Sequence, residues 1–284
     1  MAVESSKLRK FVELALEEDV REGDYTTLST IAEGAQGEAK LIVKDNGILA
    51  GVEIAVQIFN IFDPNVVLEV FFSDGQQVKA GDIAFLARGR IHEILRAERL
   101  VLNVMQRMSG IATLTNQYVA QLEGTNAKVL DTRKTTPLIR FLEKEAVLIG
   151  GGTNHRFGLY DMILIKDNHV DYAGGISNAL QKADAYRKLN ALDIEIEIEV
   201  RNFQELEEVL AHQYVDRVMF DNFTPEDVHT AVEMVAGRFV TEASGGINLE
   251  TIREYALTGV DFISAGALTH SVKSLDLSLK AKII

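Results

Sequence analysis

Hydrophobic spacing changes character near residue 127. In the first part, residues 7–16 carry apolar side chains at positions 8, 11, 12, 14, 15 and 16, which predicts a helix. Residues 37–43 and 66–72 alternate between apolar and polar, and Asp45-Asn46-Gly47, Gly75 and Gly81-Asp82 mark turns. That combination predicts an antiparallel region. Residues 92–122 return to helical spacing, with Asn103, Gln106 and Arg107 interrupting an otherwise apolar face.

Beyond Ala127 the rhythm becomes strand, loop, helix, repeated. Strands are expected at 128–130, 162–165, 194–200, 217–220, 239–243 and 261–264, with helical patterns at 176–189, 203–211, 225–235 and 249–258. Such alternation indicates a parallel sheet covered on both faces. The residues that follow the strands are polar or glycine: Asp131-Thr132-Arg133-Lys134, Lys166-Asp167-Asn168, Glu199, Asp221-Asn222, Ser244-Gly245-Gly246 and Ala265-Gly266. Chemistry gathered at the carboxyl ends of parallel strands is how an α/β barrel builds a site. Six strands fall short of eight, so the barrel is expected to be open, or to have a further strand near 146–150.

Three constellations carry candidate chemistry. Arg133, Lys134, Arg156 and Lys166 can hold two carboxylates, or a carboxylate and a phosphate, with arginine binding in bidentate fashion and lysine as a compact charge. His155 lies among them as a hydrogen-bond donor, a packing residue or a proton carrier, and Gly150-Gly151-Gly152 just before it as a closing loop or a tight turn. Glu199 and Asp221 each end an apolar strand, where a carboxylate must be solvated, paired or bound to a cation; ribose hydroxyls or Mg²⁺ would suit them. Ser244-Gly245-Gly246 and Ala265-Gly266 offer backbone N–H groups at the last two strand ends, which suits phosphate.

Charge sharpens this picture. The chain has a net charge of −13, yet residues 131–169 hold six Lys or Arg (133, 134, 140, 144, 156, 166) against five acids (131, 143, 145, 161, 167). A locally cationic stretch in an acidic protein points to a small anionic ligand and away from nucleic acid, which needs a basic face. There is no cysteine, so disulfides and thiolate metal sites are excluded. Residues 1–10 contain no apolar run and acids interrupt 11–20, so a secretory leader is not expected. No apolar stretch approaches the ~20 residues of a membrane span. A soluble, cytoplasmic protein is the expectation.

Read together, several runs resemble quinolinate phosphoribosyltransferase, also called nicotinate-nucleotide pyrophosphorylase (carboxylating). They are Glu18-Asp19 through Gly23-Asp24-Tyr25-Thr26-Thr27, Glu98-Arg99, Gln106-Arg107-Met108-Ser109-Gly110-Ile111-Ala112-Thr113, Asp131 to Pro137, Gly150 to Arg156, Ile165 to His169, and Gly259 to His270. The resemblance implies an α/β open-faced sandwich over residues 1–115 and an incomplete, six- or seven-stranded α/β barrel over 116–284, with a tail from about 268 packing back on the first domain. It implies a decarboxylating pentosyltransferase of NAD biosynthesis that joins quinolinate to phosphoribosyl pyrophosphate, assisted by Mg²⁺. Arg133, His155, Arg156 and Lys166 would bind quinolinate, with Thr132 and Lys134 beside them. Glu199 and Asp221 would serve ribose and metal; Ser244, Gly245, Gly246, Ala265 and Gly266 would serve phosphate. Lys134, Lys166, Glu199 and Asp221 would be the catalytic set. Arg99 would come from the partner of a homodimer with shared sites, or of a higher oligomer. The chain departs from the family at Leu138, where a glycine often follows Thr-Thr-Pro, and at Glu145, where an aromatic is common.

Two other readings compete. Lys166 at a barrel strand end could be a Schiff-base nucleophile. Residues 75–82 have the turn-rich look of a swinging-arm carrier, but lack its lysine flanked by methionine.

Overall fold

The computed structural model describes residues 5–282. The first four residues of the segment read for a leader, and the last two of the tail, lie outside it. In chain order the elements begin with helices α1 (Ser5–Asp19) and α2 (Tyr25–Thr30), strands β1 (Gln36–Val43) and β2 (Gly47–Ile48), and helix α3 (Val52–Phe62). Strands β3 (Val67–Val70), β4 (Gln77–Val78) and β5 (Ile83–Arg90) follow, then the long helix α4 (Ile91–Gln121), β6 (Lys128–Leu130) and α5 (Arg140–Ile149). After these come β7 (Ile163–Ile165), α6 (Asp167–Ala173), α7 (Ile176–Leu189), β8 (Ile196–Val200), α8 (Phe203–Leu210), β9 (Arg217–Asp221) and α9 (Pro225–Val235). The chain closes with β10 (Val240–Ser244), α10 (Ile252–Ala256), β11 (Phe262–Ser264), α11 (Ala267–His270) and β12 (Leu277–Lys282). No helix among the described residues is long and apolar enough to cross a membrane.

The chain forms two compact units. One comprises residues 1–116, 135–151 and 268–284; the other comprises 117–134 and 152–267. In the first unit an antiparallel sheet has the order β12-β1-β5-β3. Ala39, Leu41 and Val43 of β1 are buried at alternate positions, and Leu41 stands opposite both Leu279 and Phe85. α3 buries Ile54, Ile58 and Phe59, whose ring meets Phe85 edge-on at 6.3 Å. Its first turn has no side-chain cap from Gly51; instead the Asp74 carboxylate accepts the N–H groups of Val52 and Glu53 at 2.8 and 3.2 Å. That satisfies two of the donors a helix start leaves open.

The second unit contains the parallel sheet, in the order β6-β11-β10-β9-β8-β7. All six strands lie where the spacing placed them. The further strand near 146–150 is excluded, because these residues end α5 and the turn after it. β6 and β7 are the two edges of the sheet, so the barrel is incomplete; beyond β6 a single bridge from Leu130 to Thr153 aligns the 152–156 segment with the sheet. Every residue of β8 is buried. Its alternation puts Ile196, Ile198 and Val200 on one face and Glu197 and Glu199 on the other. The glycine run starts as a packed helix end and turns at Gly151, which is exposed with φ of +90°. Gly150 caps α5, and a Cβ there would lie 2.5 Å from the Ala112 carbonyl oxygen.

Candidate active site

One half of the strand-end rim is built from cations. Thr132, Arg133 and Lys134 follow β6, and the Thr132 hydroxyl accepts the Lys134 N–H at 3.0 Å. Buried Asp131 anchors this half: its carboxylate accepts the His155 N–H at 2.9 Å, and its own N–H donates to Thr153 at 3.1 Å. These bonds bring the 152–156 segment alongside the β6 end. Arg156 donates to the Met162 carbonyl at 3.3 Å. Its pKa is lowered, first by burial and then by the positive charge of Arg133, with Glu197 and Asp161 opposing. Arg156 is half-buried and Arg133 exposed, and an anion between them would offset the repulsion that Arg156 feels. Lys166, at the β7 end, opens α6, and its Nζ lies 2.5 Å from Glu199 Oε2. An ammonium held on a carboxylate suits an anion-binding role better than a Schiff base.

Acids and glycines build the other half. Asp221 ends β9 directly opposite Ser244, the last residue of β10. Burial pushes the Asp221 carboxyl upward, as does the charge of Glu199, while Lys166 and Asn222 oppose. Gly245 and Gly246 have φ of +103° and +64°, backbone that side chains rarely adopt. The β11 end passes through Ala265, whose N–H donates to Leu130, into Gly266.

Beneath the cationic half lies a buried polar group that the spacing did not single out. His155 Nε2 stands 2.9 Å from Glu197 Oε2 and 3.4 Å from Glu242 Oε2, and Arg217 Nη1 is 3.5 Å from the same Glu242 oxygen. Burial works against charge on His155, but contact with the two carboxylates outweighs it and pushes its pKa up to about 9. Burial and Glu242 in turn push Glu197 up, whereas Glu242, despite its own burial, is held down by His155 and Arg217. The Arg156 N–H donates to His155 Nδ1 at 2.7 Å. In this conformation Nδ1 accepts and the ring proton sits on Nε2, toward the carboxylates; the amide at Nδ1 thus opposes the rise in pKa that those carboxylates cause. The signal for Glu197 was present in the repeating Ile-Glu pattern at 194–199, since a strand buried on both faces must neutralise its acids. For Glu242 the sequence held no comparable signal.

Among the described residues, one trio of possible metal ligands has donor atoms within 4.8 Å of one another: His155, Glu197 and Glu242. Arg217 pairs with Glu242 and burial raises the Glu197 carboxyl, so the trio holds little uncompensated negative charge for a metal ion. Glu199 and Asp221 offer only oxygens, and their mutual repulsion is the kind a hard dication relieves. They fit Mg²⁺ provided a ligand's phosphates and water complete the coordination. Arg99 is exposed on α4 in the first unit; the other candidate residues all belong to the second.

The fold defines the class, an incomplete α/β barrel joined in one chain to an antiparallel α/β unit. Comparison with known proteins narrows it. Residues 24–109 match the N-terminal domain of quinolinate phosphoribosyl transferase, and residues 111–280 match its C-terminal domain. The chain is 46% identical over 288 residues to the chloroplastic nicotinate-nucleotide pyrophosphorylase [carboxylating] of Arabidopsis thaliana, covering 96% of this chain and 82% of that one. It is 42% identical over 273 residues to the probable nicotinate-nucleotide pyrophosphorylase [carboxylating] of Bacillus subtilis, covering 96% and 93%. The nicotinate-nucleotide pyrophosphorylase structure from Francisella tularensis superposes with a TM-score of 0.91 at 41% identity, covering 99% of this chain and 98% of that one. The chain belongs to the quinolinate phosphoribosyl transferase family.

Proposed function

We propose that this protein joins quinolinate to phosphoribosyl pyrophosphate, releasing CO₂ and pyrophosphate and forming nicotinate mononucleotide for NAD biosynthesis. Within one unit, Arg133, Lys134, Arg156 and Lys166 supply charge for a dianion, while Asp221 and the Ser244–Gly246 and Gly266 turns offer groups suited to a phosphosugar. The single observation that carries the reading is the pair Arg133 and Arg156. Half-buried Arg156 and exposed Arg133 bring two guanidinium charges to one strand-end rim, and a ligand with more than one carboxylate would relieve their repulsion.

The chemistry follows from those charges. The pyridine nitrogen forms a bond to ribose C1, and the C1–oxygen bond to pyrophosphate breaks with its electron pair on the leaving group. The C2–carboxylate bond then breaks, CO₂ departs, and the pair left on the ring carbon, stabilised by the adjacent ring nitrogen, takes a proton from water. Arg133, Arg156 and Lys166 hold the dianion in line, and Glu199 keeps Lys166 on station until substrate arrives. Mg²⁺, held by Asp221 and Glu199 together with the donor, would neutralise charge on the departing pyrophosphate.

The same reading makes the protein a homodimer, in which Arg99 of one chain serves the partner's site. A cytoplasmic setting agrees with the absence of cysteine. The deciding assay incubates the protein with quinolinate, phosphoribosyl pyrophosphate and Mg²⁺ and follows products by chromatography. Nicotinate mononucleotide is expected, and its absence would overturn the assignment.

A further inference from the structure

We infer that Asn222 is a positioning residue for the phosphosugar half of the site, locking the Asp221 carboxylate to the glycine turn after β10. The inference rests on the reading above. Asn222 follows β9 with φ of +58°, a left-handed conformation that most side chains avoid and that asparagine tolerates better than most. Two bonds hold it there. Its backbone N–H donates to the Ser244 carbonyl at 2.8 Å, and its Nδ2 donates to Asp221 Oδ2 at 2.7 Å. One residue thus ties the side chain at the end of β9 to the main chain at the end of β10.

Gly245 completes the device. A Cβ on it would lie 2.3 Å from Asn222 Oδ1, 2.7 Å from its Cγ and 2.8 Å from its backbone nitrogen. Glycine at 245 therefore answers to two demands, its own φ of +103° and the room that the Asn222 amide occupies. With one Asp221 oxygen committed to Asn222, the carboxylate has a fixed rotation and its other oxygen serves the donor. Asn222 touches no cation of the quinolinate half, so its effect should fall on the donor alone.

The test is a set of substitutions read separately on the two substrates. Asn222→Gly keeps the backbone conformation accessible and removes the amide; Asn222→Asp keeps the shape but replaces the donor with a second negative charge beside Asp221. We expect Asn222→Gly to raise KM for phosphoribosyl pyrophosphate at least ~10-fold, the effect of losing a hydrogen bond to a charged group. Asn222→Asp should be worse. In Asn222→Gly, which changes no charge, the calorimetric dissociation constant for quinolinate alone should stay within about twofold, since a bond on the donor side does not enter it. The double variant Gly245→Ala with Asn222→Gly should be no worse than Gly245→Ala alone, because most of the collision has been removed. Wild-type donor kinetics in Asn222→Gly would overturn the side chain's role and leave only a backbone requirement. Equal losses on both substrates, with a lowered melting temperature, would make Asn222 merely structural. If wild-type protein makes no nicotinate mononucleotide, the functional assignment has failed, a result separate from either of these.

Discussion

The two halves of the strand-end rim use the same geometry with opposite chemistry. On the β6 and β7 side the rim is made of long side chains: Arg133, Lys134, Arg156 and Lys166 bring fixed charge, and the Asp131 carboxylate and the Thr153 backbone hold the segment that carries Arg156. On the β9 to β11 side the backbone itself is the instrument. Gly245 and Gly246 adopt left-handed φ, and the side chains present, Asp221 and Asn222, are short. On the proposed function, the difference follows from what each half would hold. A planar dicarboxylate is matched by charge at a distance, whereas a phosphate is matched by N–H groups, which only a close-approaching backbone can supply.

The largest expected effect tests whether the cationic half is tuned to two carboxylates. A monocarboxylate would leave some of its cations desolvated and unpaired. Quinolinate should therefore exceed nicotinate by at least ~10²-fold in kcat/KM, measured with saturating donor. Comparable values would mean that the cations serve one carboxylate and that the proposed division of the rim is wrong.

Next in size is Lys166, which stands between the halves through its ion pair with Glu199. Lys166 is half-exposed in that pair, so the larger loss is the charge-assisted contact it would make to the bound dianion, about 1.5–3 kcal/mol. Lys166→Ala should lose roughly 30-fold in kcat/KM and remain folded by circular dichroism. Unfolding would move Lys166 from binding to structure.

How much of this was readable from the chain follows the same division. The candidate cations and acids were singled out because they follow expected strand ends or, for Arg156, a glycine run, and the six parallel strands fell where the spacing placed them. What escaped depends on contacts between distant segments. The stretch that forms α3 is rich in β-branched residues, and its helical start depends on Asp74, twenty-two residues after Val52. β5 and β12 are strands largely because β1 lies between them. The His155–Glu197–Glu242 group requires knowing which residues of β8 and β10 share the inward face with a loop after β6. Asn222 was visible only as part of a polar strand end; its contact with Gly245 depends on a neighbouring strand.

A smaller effect tests whether the cationic half is complete in one chain. If Arg99 serves the partner's site, Arg99→Ala and Lys166→Ala damage one site from two chains. After gentle dissociation and mixing, half of the dimers are mixed, and each mixed dimer has one intact site, so about a quarter of wild-type activity should return. No recovery, with chain exchange confirmed by mass labelling, would show that the cations of each chain serve that chain alone.

The smallest effect concerns strain. The donor half meets its left-handed positions with glycine and asparagine, but the loop beyond the cations of β6 does not: Leu138 has φ of +70° and is 83% exposed. A leucine there costs about 1–2 kcal/mol of backbone strain, and with so little of the side chain buried, packing offsets little of it. Leu138→Gly removes the strain but gives the unfolded chain more freedom, an opposing term of about 0.5–1 kcal/mol. The balance is a gain of roughly 0.5–1 kcal/mol, read as a higher urea midpoint with an unchanged slope. The same exchange at an exposed position with ordinary φ would lower the midpoint, so the sign of the shift decides the matter. A lowered midpoint would mean that Leu138 makes contacts in solution that compensate its backbone, and a surface of the partner chain would be the first place to look for them.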